Sequence, residues 1–358
     1  MKAGLLFPLS IGLAAFVLAG RPFSPLQTRA GAGSPIVSSE FVFTLENRAT
    51  PSCHASTIVE LPGGELAAAW FGGTAEGDPD VGIWFSRRTR SGWTRPVEIA
   101  DGRTENPPSG SKKRNSCWNP VLVRSPNGGL ILFYKVGPDP RSWRGTMKTS
   151  ADRGRSWSEA RGLPEGILGP IKNKPLRLAD GRLLCGSSTE DAGWRVHMEW
   201  TSDEGRTWSR TEALNDGETL AAIQPSLLIH PGGLLQALGR SRQGRIWTAW
   251  SGDAGRTWGP LSLTDLPNPD SGVDAVSLKD GRHVLVYNPV TRGRTPLVAA
   301  ISRDGRAWTT VAVLAEGDGE FSYPAVIQSE EGRIHVAFTW KRKLIKHLVL
   351  DPERIRVE

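Results

Sequence analysis

The chain has 358 residues and contains few of the residues that build disulfide frameworks or metal sites. Its three cysteines, Cys53, Cys117 and Cys185, are odd in number and lack the close spacing of zinc ligands. One pair, Cys53 with Cys117, is a candidate disulfide, because both residues precede a strand at matching points of successive repeats. We favour the alternative of free, buried thiols, and we expect neither a metal ion nor a cofactor.

Helical patterns and blocks of like charge are also absent. No window carries a sustained apolar stripe of helical period with capping residues. The net charge of +7 comes from arginines scattered through turns, and no segment resembles a module that reads DNA or RNA. We therefore expect no nucleic-acid partner. The basic surface is either simply solvated or attracts anionic glycans.

The one long apolar run lies near the N-terminus, at residues 5–19 after Lys2. It is short for a membrane span, and small residues follow it, so we predict a signal peptide over residues 1–20. Residues 21–37 are rich in Pro, Gly, Ser and Ala and are predicted to form a flexible leader. The rest, residues 38–358, is predicted to be one domain of an exported monomer, periplasmic or secreted, that meets a membrane only if the signal stays uncleaved.

Glycine and tryptophan are abundant, and they recur in a repeated turn. Its clearest copy runs from Ser251 to Trp258, with Asp253, Gly255 and Thr257 between them. Further copies end in Trp157, Trp208 and Trp308, so that the four tryptophans lie 51, 50 and 50 residues apart, and an eroded copy covers residues 86–93. A period near 50 residues is typical of propellers and related repeat arrays.

Six hairpins, each an apolar strand, a turn with glycine and a second apolar strand, give the number of repeats. They cover residues 58–71, 121–134, 176–185, 227–238, 276–287 and 326–338. Asn-Gly and Asp-Gly between apolar runs are strong hairpin signals. We predict an all-β, six-bladed β-propeller with four-stranded antiparallel blades, in which residues 41–45 add an outer strand to residues 345–350 and close the ring. Residues 101–116 are predicted to form a long surface loop.

The repeated turn resembles the Asp box, or BNR repeat, of the sialidase (neuraminidase) superfamily of six-bladed propellers, and the resemblance covers about residues 40–350. In such a turn the aspartate caps backbone amides, the glycine takes a positive φ, and the tryptophan packs between sheets. We therefore assign structural roles to Asp152, Asp203, Asp253 and Asp304. The chemistry is expected in the loops at one mouth of the ring.

Sialidases have three arginines that bind the sugar carboxylate, an aspartate acid, and a tyrosine nucleophile paired with a glutamate. The resemblance implies these roles for specific residues: Arg240 as the second arginine, Arg292 or Arg294 as the third, Asp80 as the acid with Asp78 beside it, and Tyr323 as the nucleophile. Arginine suits this task because its planar fork makes bidentate contacts with carboxylates.

Two positions depart from the family pattern. His54 stands where the first arginine belongs, and Gln224 stands where the glutamate belongs. A tyrosine nucleophile needs a base to accept its proton, and His54 can accept a proton whereas the amide of Gln224 cannot. We therefore expect Gln224 to bind substrate. Asn119, Lys174 and Asp274 precede their hairpins at a similar phase and are expected to line the same mouth.

Three functions remain open from the sequence. The first is a sialidase-like glycoside hydrolase that acts in exo mode on acidic, sialic-acid-type glycans. The second is a lyase or glycosidase acting on uronate-containing glycans, with His54 and Tyr323 as base and acid and the arginines neutralising the carboxylate. The third is a carbohydrate-binding propeller without turnover. All three imply an acidic glycan or glycoconjugate as partner.

Overall fold

The computed structural model describes Met1 and residues 33–103 and 114–355. The predicted signal peptide beyond Met1, residues 21–32 of the predicted leader, and residues 104–113 of the predicted long loop lie outside the described residues. Within the described part of the chain, no helix is long and apolar enough to cross a membrane.

Nearly all regular structure is β-strand. The chain begins with β1 (Ile36–Phe41), and its blades follow in order. Blade one contains β2 (Ser52–Glu60), β3 (Leu66–Gly73), β4 (Gly82–Thr89), β5 (Gly92–Trp93) and β6 (Val97–Ala100). Blade two contains β7 (Cys117–Arg124), β8 (Leu130–Val136), β9 (Arg144–Ser150) and β10 (Arg161–Gly162). Blade three contains β11 (Leu176–Arg177), β12 (Leu183–Thr189), β13 (Arg195–Thr201) and β14 (Ser209–Arg210).

The second half of the ring has the same arrangement. Blade four contains β15 (Ala222–Ile229), β16 (Leu235–Ser241), β17 (Arg245–Ser251) and β18 (Ser262–Pro267). Blade five contains β19 (Asp274–Ser277), β20 (His283–Tyr287), β21 (Leu297–Ser302) and β22 (Thr309–Ala315). Blade six contains β23 (Phe321–Gln328), β24 (Ile334–Trp340) and β25 (Leu344–Leu350), completed by β1. All the pairings between blade strands are antiparallel, which confirms the predicted six-bladed β-propeller.

The strand that closes the ring begins five residues earlier in the chain than predicted. The outer strand of blade six is β1, which pairs with β25 so that Phe41 lies opposite Lys346; it begins at Ile36, inside the predicted leader. The prediction of a strand over residues 41–45 was wrong because Val42 and Phe43 are apolar for another reason. They are buried in the core between blades one and six, where Phe43 stacks on Trp70 with ring centroids 4.9 Å apart.

Apolar cores between neighbouring blades hold the ring together. Separate buried clusters join each blade to the next around the ring, including the contact between blades six and one. Trp247 of blade four, for example, is fully buried against apolar residues of blade three. Apolar burial of this kind is the main favourable contribution to the free energy of folding.

The repeated turns have the architectural role predicted for them. Asp253 accepts hydrogen bonds from the backbone N–H and hydroxyl of Thr257 and from the hydroxyl of Ser251, while Gly255 has a φ of +80°. Trp258 donates its indole N–H to the Gly255 carbonyl. The same aspartate capping occurs at Asp152, Asp203 and Asp304. These turns follow the third strands of their blades, so they lie on one face of the ring. The ends of the second strands lie on the opposite face, which we call the mouth of the ring.

The cysteines are free and buried, as we favoured, and the candidate disulfide between Cys53 and Cys117 was wrong. Burial raises the pKa of each thiol above its ordinary value, most strongly for Cys185. Thiols in such surroundings are poor nucleophiles, because the thiolate is the reactive form.

Candidate functional site

Four of the innermost strands carry a β-bulge at the same place near the mouth. The strand registers shift at residues 54–57, 118–121, 223–226 and 322–325. In each bulge one residue has a positive φ: Ala55, Asn119, Gln224 and Tyr323, with φ of 53°, 39°, 58° and 51°. Residues other than glycine rarely adopt this conformation, and bulges near functional sites re-aim side chains. The repetition indicates a built feature of the mouth.

Lys172 of blade three and Gly272 of blade five lie the same number of residues before their hairpin turns as these four residues do, so they occupy the matching positions of their blades. We call the six residues the mouth layer: Ala55, Asn119, Lys172, Gln224, Gly272 and Tyr323. A side chain on Gly272 would meet Lys172 Cε at 3.1 Å and Tyr323 Cδ2 at 3.3 Å. Glycine at this point therefore leaves room for the lysine and the tyrosine to pack together.

Lys172 extends from blade three to blades five and six. Its Nζ donates to the carbonyl oxygens of Val273 (3.1 Å) and Pro324 (2.6 Å) and to Asn173 Oδ1 (2.8 Å). Burial is the largest cause that lowers the pKa of Lys172, to about 7. The lysine therefore links three blades immediately beside Tyr323.

Lys174 and Asp274 do not line the mouth as predicted but lie one layer deeper. They form an ion pair at 3.0 Å, and Asp274 also accepts from the Ser226 hydroxyl and the Val326 amide. The misplacement of Lys174 has a readable cause. In three other blades the bulge residue is followed by proline, and Lys174 also precedes a proline, but its Lys-Pro pair is shifted by two residues along the strand.

Positive charge surrounds the ring of Tyr323. The guanidinium carbons of Arg240 and Arg294 lie 5.5 and 5.4 Å from its centroid, and Lys172 Nζ lies 5.7 Å from it. Of the two candidates for the third arginine, Arg294 is thus the one at the tyrosine. Arg292 is exposed and makes no hydrogen bond or ion pair with any residue that the structure describes.

His54 packs directly on Tyr323, with ring centroids 4.1 Å apart. It is buried, and neither ring nitrogen has a hydrogen-bond partner in the described ranges. Its Nδ1 lies 3.9 Å from Glu320 Oε1. Burial, and then the charge of Arg342, hold the pKa of His54 well below its usual value. The imidazole is therefore neutral near pH 7, which is the protonation state that a base requires.

Carboxylates bind one edge of each arginine. Arg240 donates to Asp270 at 3.0 Å, while Arg294 (2.9 Å) and Arg342 (3.0 Å) share Glu320. Burial alone would raise the pKa of Glu320, but the Ser322 hydroxyl and the two guanidinium groups outweigh it and lower the pKa. Glu320 is therefore charged and holds two arginines at the mouth.

Asp80 is committed to its own loop, which joins β3 to β4. Its carboxylate accepts from the backbone N–H and the hydroxyl of Thr74, the latter at 2.8 Å. Asp78 is half-buried, and its carboxylate has no hydrogen-bond or ion-pair partner among the residues described. The same loop contacts the mouth through Gly77, beside Trp118, and through Glu76, which pairs with Arg342. Among the described residues, Asp78 thus differs from Asp80 and Glu76 of this loop, whose carboxylates are paired.

The structure brings His54, Arg240 and Arg294 to the ring of Tyr323 and places Asn119 and Gln224 at the matching bulges of their strands. It adds Glu320 and Arg342, which the prediction did not include, and it places Lys172 where Lys174 was expected. Glu320 was visible in the stretch before Tyr323, whereas nothing in the sequence indicates where the Arg342 side chain points. In residues 33–103 and 114–355, no group of three or more His, Cys, Asp or Glu could bind a metal ion.

The comparison with known families decides the classification. A family described as the BNR repeat-like domain matches residues 64–336. The chain belongs to this family. A curated sialidase from Micromonospora viridifaciens is 23% identical over 367 residues, which cover 88% of this chain and 55% of the sialidase. The BNR repeat-like chain thus spans about half the length of that relative.

Solved structures agree with this BNR repeat-like fold. The Hadza microbial sialidase Hz136 has a TM-score of 0.73 at 17% identity, covering 89% of this chain and 69% of that one. The intramolecular trans-sialidase of Ruminococcus gnavus has a TM-score of 0.70 at 16% identity, with 92% and 100% covered. A protein of unknown function from Dyadobacter fermentans has a TM-score of 0.72 at 18% identity, with 88% and 98% covered. At these identities the likeness concerns the fold.

Proposed function

We propose that the protein is a sialidase-like glycosidase that removes a terminal acidic sugar from glycans. The observation that supports this most is the group of cations around Tyr323: Arg240, Arg294 and Lys172, each from a different blade, lie within 6 Å of its ring. Two planar guanidinium groups beside one tyrosine ring are suited to a sugar carboxylate.

In this proposal Tyr323 is the nucleophile. Its oxygen bonds to the anomeric carbon while the bond from that carbon to the leaving oxygen breaks, and water later cleaves the tyrosyl linkage. A tyrosine that is neutral in the ground state avoids repulsion by the adjacent substrate carboxylate. His54, in contact with Tyr323, takes the phenolic proton that the amide Gln224 cannot accept.

The leaving oxygen needs a proton in the same step. Asp78 supplies it in this proposal, because its carboxylate is unpartnered within the described ranges and belongs to the loop that leans over Trp118 and Arg342. The sialidase named above, related at 23% identity, supports the reaction class. The sugar, the exo mode and the export of the chain stay predictions.

A second candidate reaction is β-elimination on a uronate. The observation that favours it is His54, a buried neutral imidazole that touches Tyr323 and whose two nitrogens have no partner in the described part of the chain, together with Gln224 in place of the family's glutamate. His54 would remove the proton next to the carboxylate, and its electron pair would form the ring double bond. Tyr323 would protonate the departing glycosidic oxygen, and the arginines would stabilise the charge on the carboxylate.

One experiment separates these reactions. The purified chain is incubated with a fluorogenic sialoside and, separately, with oligosaccharides that contain a uronate glycosylated at O4, which provides the leaving group for elimination. Release of free sialic acid supports hydrolysis, whereas rising ultraviolet absorbance from an unsaturated uronate supports elimination. Tyr323→Phe should abolish either product. Absence of both products, with retained binding on a glycan array, would contradict both proposals and leave a carbohydrate-binding propeller.

A further inference from the structure

Among its described residues, blade one has no arginine at the mouth, but an arginine of blade six lies beside His54, where that arginine was expected. Arg342 lies in the turn between β24 and β25, where Lys341 and Arg342 both have positive φ, of 53° and 54°. Its carbonyl oxygen accepts the amide of Cys53, the residue before His54, at 2.9 Å. Among charged groups, Arg342 lowers the pKa of His54 the most. The Arg342 guanidinium also donates to Glu320, whose Oε1 lies 3.9 Å from His54 Nδ1, so it lies near His54 and Tyr323.

We propose that Arg342 supplies the third guanidinium of the anion-binding pocket, so that blade six replaces the arginine missing from blade one. Arg342 would then be a specificity-determining residue for sugars that carry a carboxylate. The inference rests on the proposed function, since it assumes that the pocket binds an acidic sugar.

The free donors of the arginines support this role. Arg342 uses Nε for Glu320 and Nη1 for Glu76, which leaves Nη2 without a partner in the described part of the chain. Among the described residues, Arg294 pairs only through Nη1, with Glu320, and the buried Nε of Arg240 has no partner. A guanidinium has five N–H donors in a fixed plane, so one or two contacts with carboxylates leave donors for a ligand.

Exposure points the same way. The side chain of Arg342 is 32% exposed and that of Arg294 is 24% exposed, while Arg240 keeps 9%. Arg342 is thus open enough to meet a ligand and still held by two carboxylates. The competing explanation is that Arg342 only tethers the loop of residues 74–80 through Glu76. Each explanation predicts a different result when Glu76 is changed.

The test measures binding of four probes to the full chain by calorimetry: N-acetylneuraminic acid, D-glucuronic acid and the methyl ester of each. The variants are Arg342→Gln, Arg342→Lys and Glu76→Gln, with melting temperatures recorded as a check on folding. For the acid that the wild type prefers, we expect Arg342→Gln to weaken binding about tenfold or more, because a charge-assisted hydrogen bond is lost. The ester, which lacks the charge, should bind both proteins equally. The affinity of Arg342→Lys for the acid should lie between those of the wild type and Arg342→Gln. Glu76→Gln should bind the acid at least as well as the wild type.

Three results would overturn the inference alone: unchanged affinity of Arg342→Gln for the acid, equal losses for acid and ester, or an equal loss in Glu76→Gln. The last would identify Arg342 as a loop tether. If the wild type bound neither acid in preference to its ester, the proposed function and this inference would both be wrong.

Discussion

His54 and Tyr323 lie in ring-to-ring contact at 4.1 Å, although 269 residues separate them in the chain. They come from blades one and six, which are neighbours because β1 and the last strands close the ring. Among the described residues neither nitrogen of His54 has a hydrogen-bond partner. A buried polar group left unpaired costs about 1–3 kcal/mol, and the position of His54 beside the tyrosine fits the proton transfer proposed for it.

Replacing His54 by glutamine should therefore reduce turnover strongly with little loss of stability. Gln keeps a polar side chain of similar size but cannot accept the proton, and we expect a fall of kcat of about 100-fold or more. KM should change little, because the arginines still bind the carboxylate. The measurement is steady-state kinetics with a melting curve of each variant. A kcat within threefold of the wild type would show that His54 is not the base.

The two aspartates of the loop between β3 and β4 should behave differently. Asp78→Asn should slow the release of a poor leaving group, such as a sugar, far more than release of a phenol that leaves without protonation. Asp80→Asn should instead lower the melting temperature and affect both substrates equally, since Asp80 holds Thr74. The ratio of kcat/KM for the two substrates is the measurement. A selective loss in Asp80→Asn would return the acid role to Asp80.

Repetition explains how much of the fold could be predicted. Gly-containing turns and the tryptophan repeat are local signals that recur in each blade, so errors at one copy are corrected by the others. The outer strand of blade six occurs once and has no such check. Because Val42 and Phe43 are apolar, the strand was predicted about five residues too far along the chain.

The site was predicted less completely, because its contacts are not local. Tyr323, Arg240 and His54 could be placed from motifs. Arg342 could not, since its carboxylate partner Glu76 is 266 residues away and a charged residue in a turn has no fixed direction. The prediction placed Lys174 at the mouth in the position that Lys172 occupies, because the proline after Lys174 imitates the pattern of the other blades.

The closure of the ring should be sensitive to acid. His335 contacts His347, and His347 contacts Glu40 of β1 at 3.0 Å; Arg88 of blade one also faces this group. Burial is the largest cause that lowers the pKa of His335, to about 3. A histidine with a lowered folded pKa contributes stability that is complete above its unfolded pKa of about 6.5 and is lost as the pH falls towards 3.

His335→Gln should accordingly lose less stability on acidification than the wild type. We expect the drop in melting temperature between pH 7 and pH 5 to be smaller by about 2 °C, because one unfavourable protonation is removed. The measurement is calorimetry at both pH values, with Lys343→Gln, in the exposed turn before β25, as a matched control. Equal drops in the three proteins would mean that this histidine does not govern acid stability.

Lys172 should support turnover by holding the backbone next to Tyr323. Its Nζ binds the carbonyl of Pro324, the residue directly after the tyrosine, and that of Val273 in blade five. Lys172→Met keeps the length of the side chain but leaves both buried carbonyls unpaired, and a small displacement of a reacting group can cost about 100-fold in rate. Lys174→Met is the matched control, because it breaks the ion pair with Asp274 one layer deeper. We expect both variants to melt at lower temperature, and only Lys172→Met to lose kcat by about tenfold or more in kinetics below the melting range. Equal losses of kcat would mean that the deeper layer, rather than the lysine beside Tyr323, sets the geometry of the mouth.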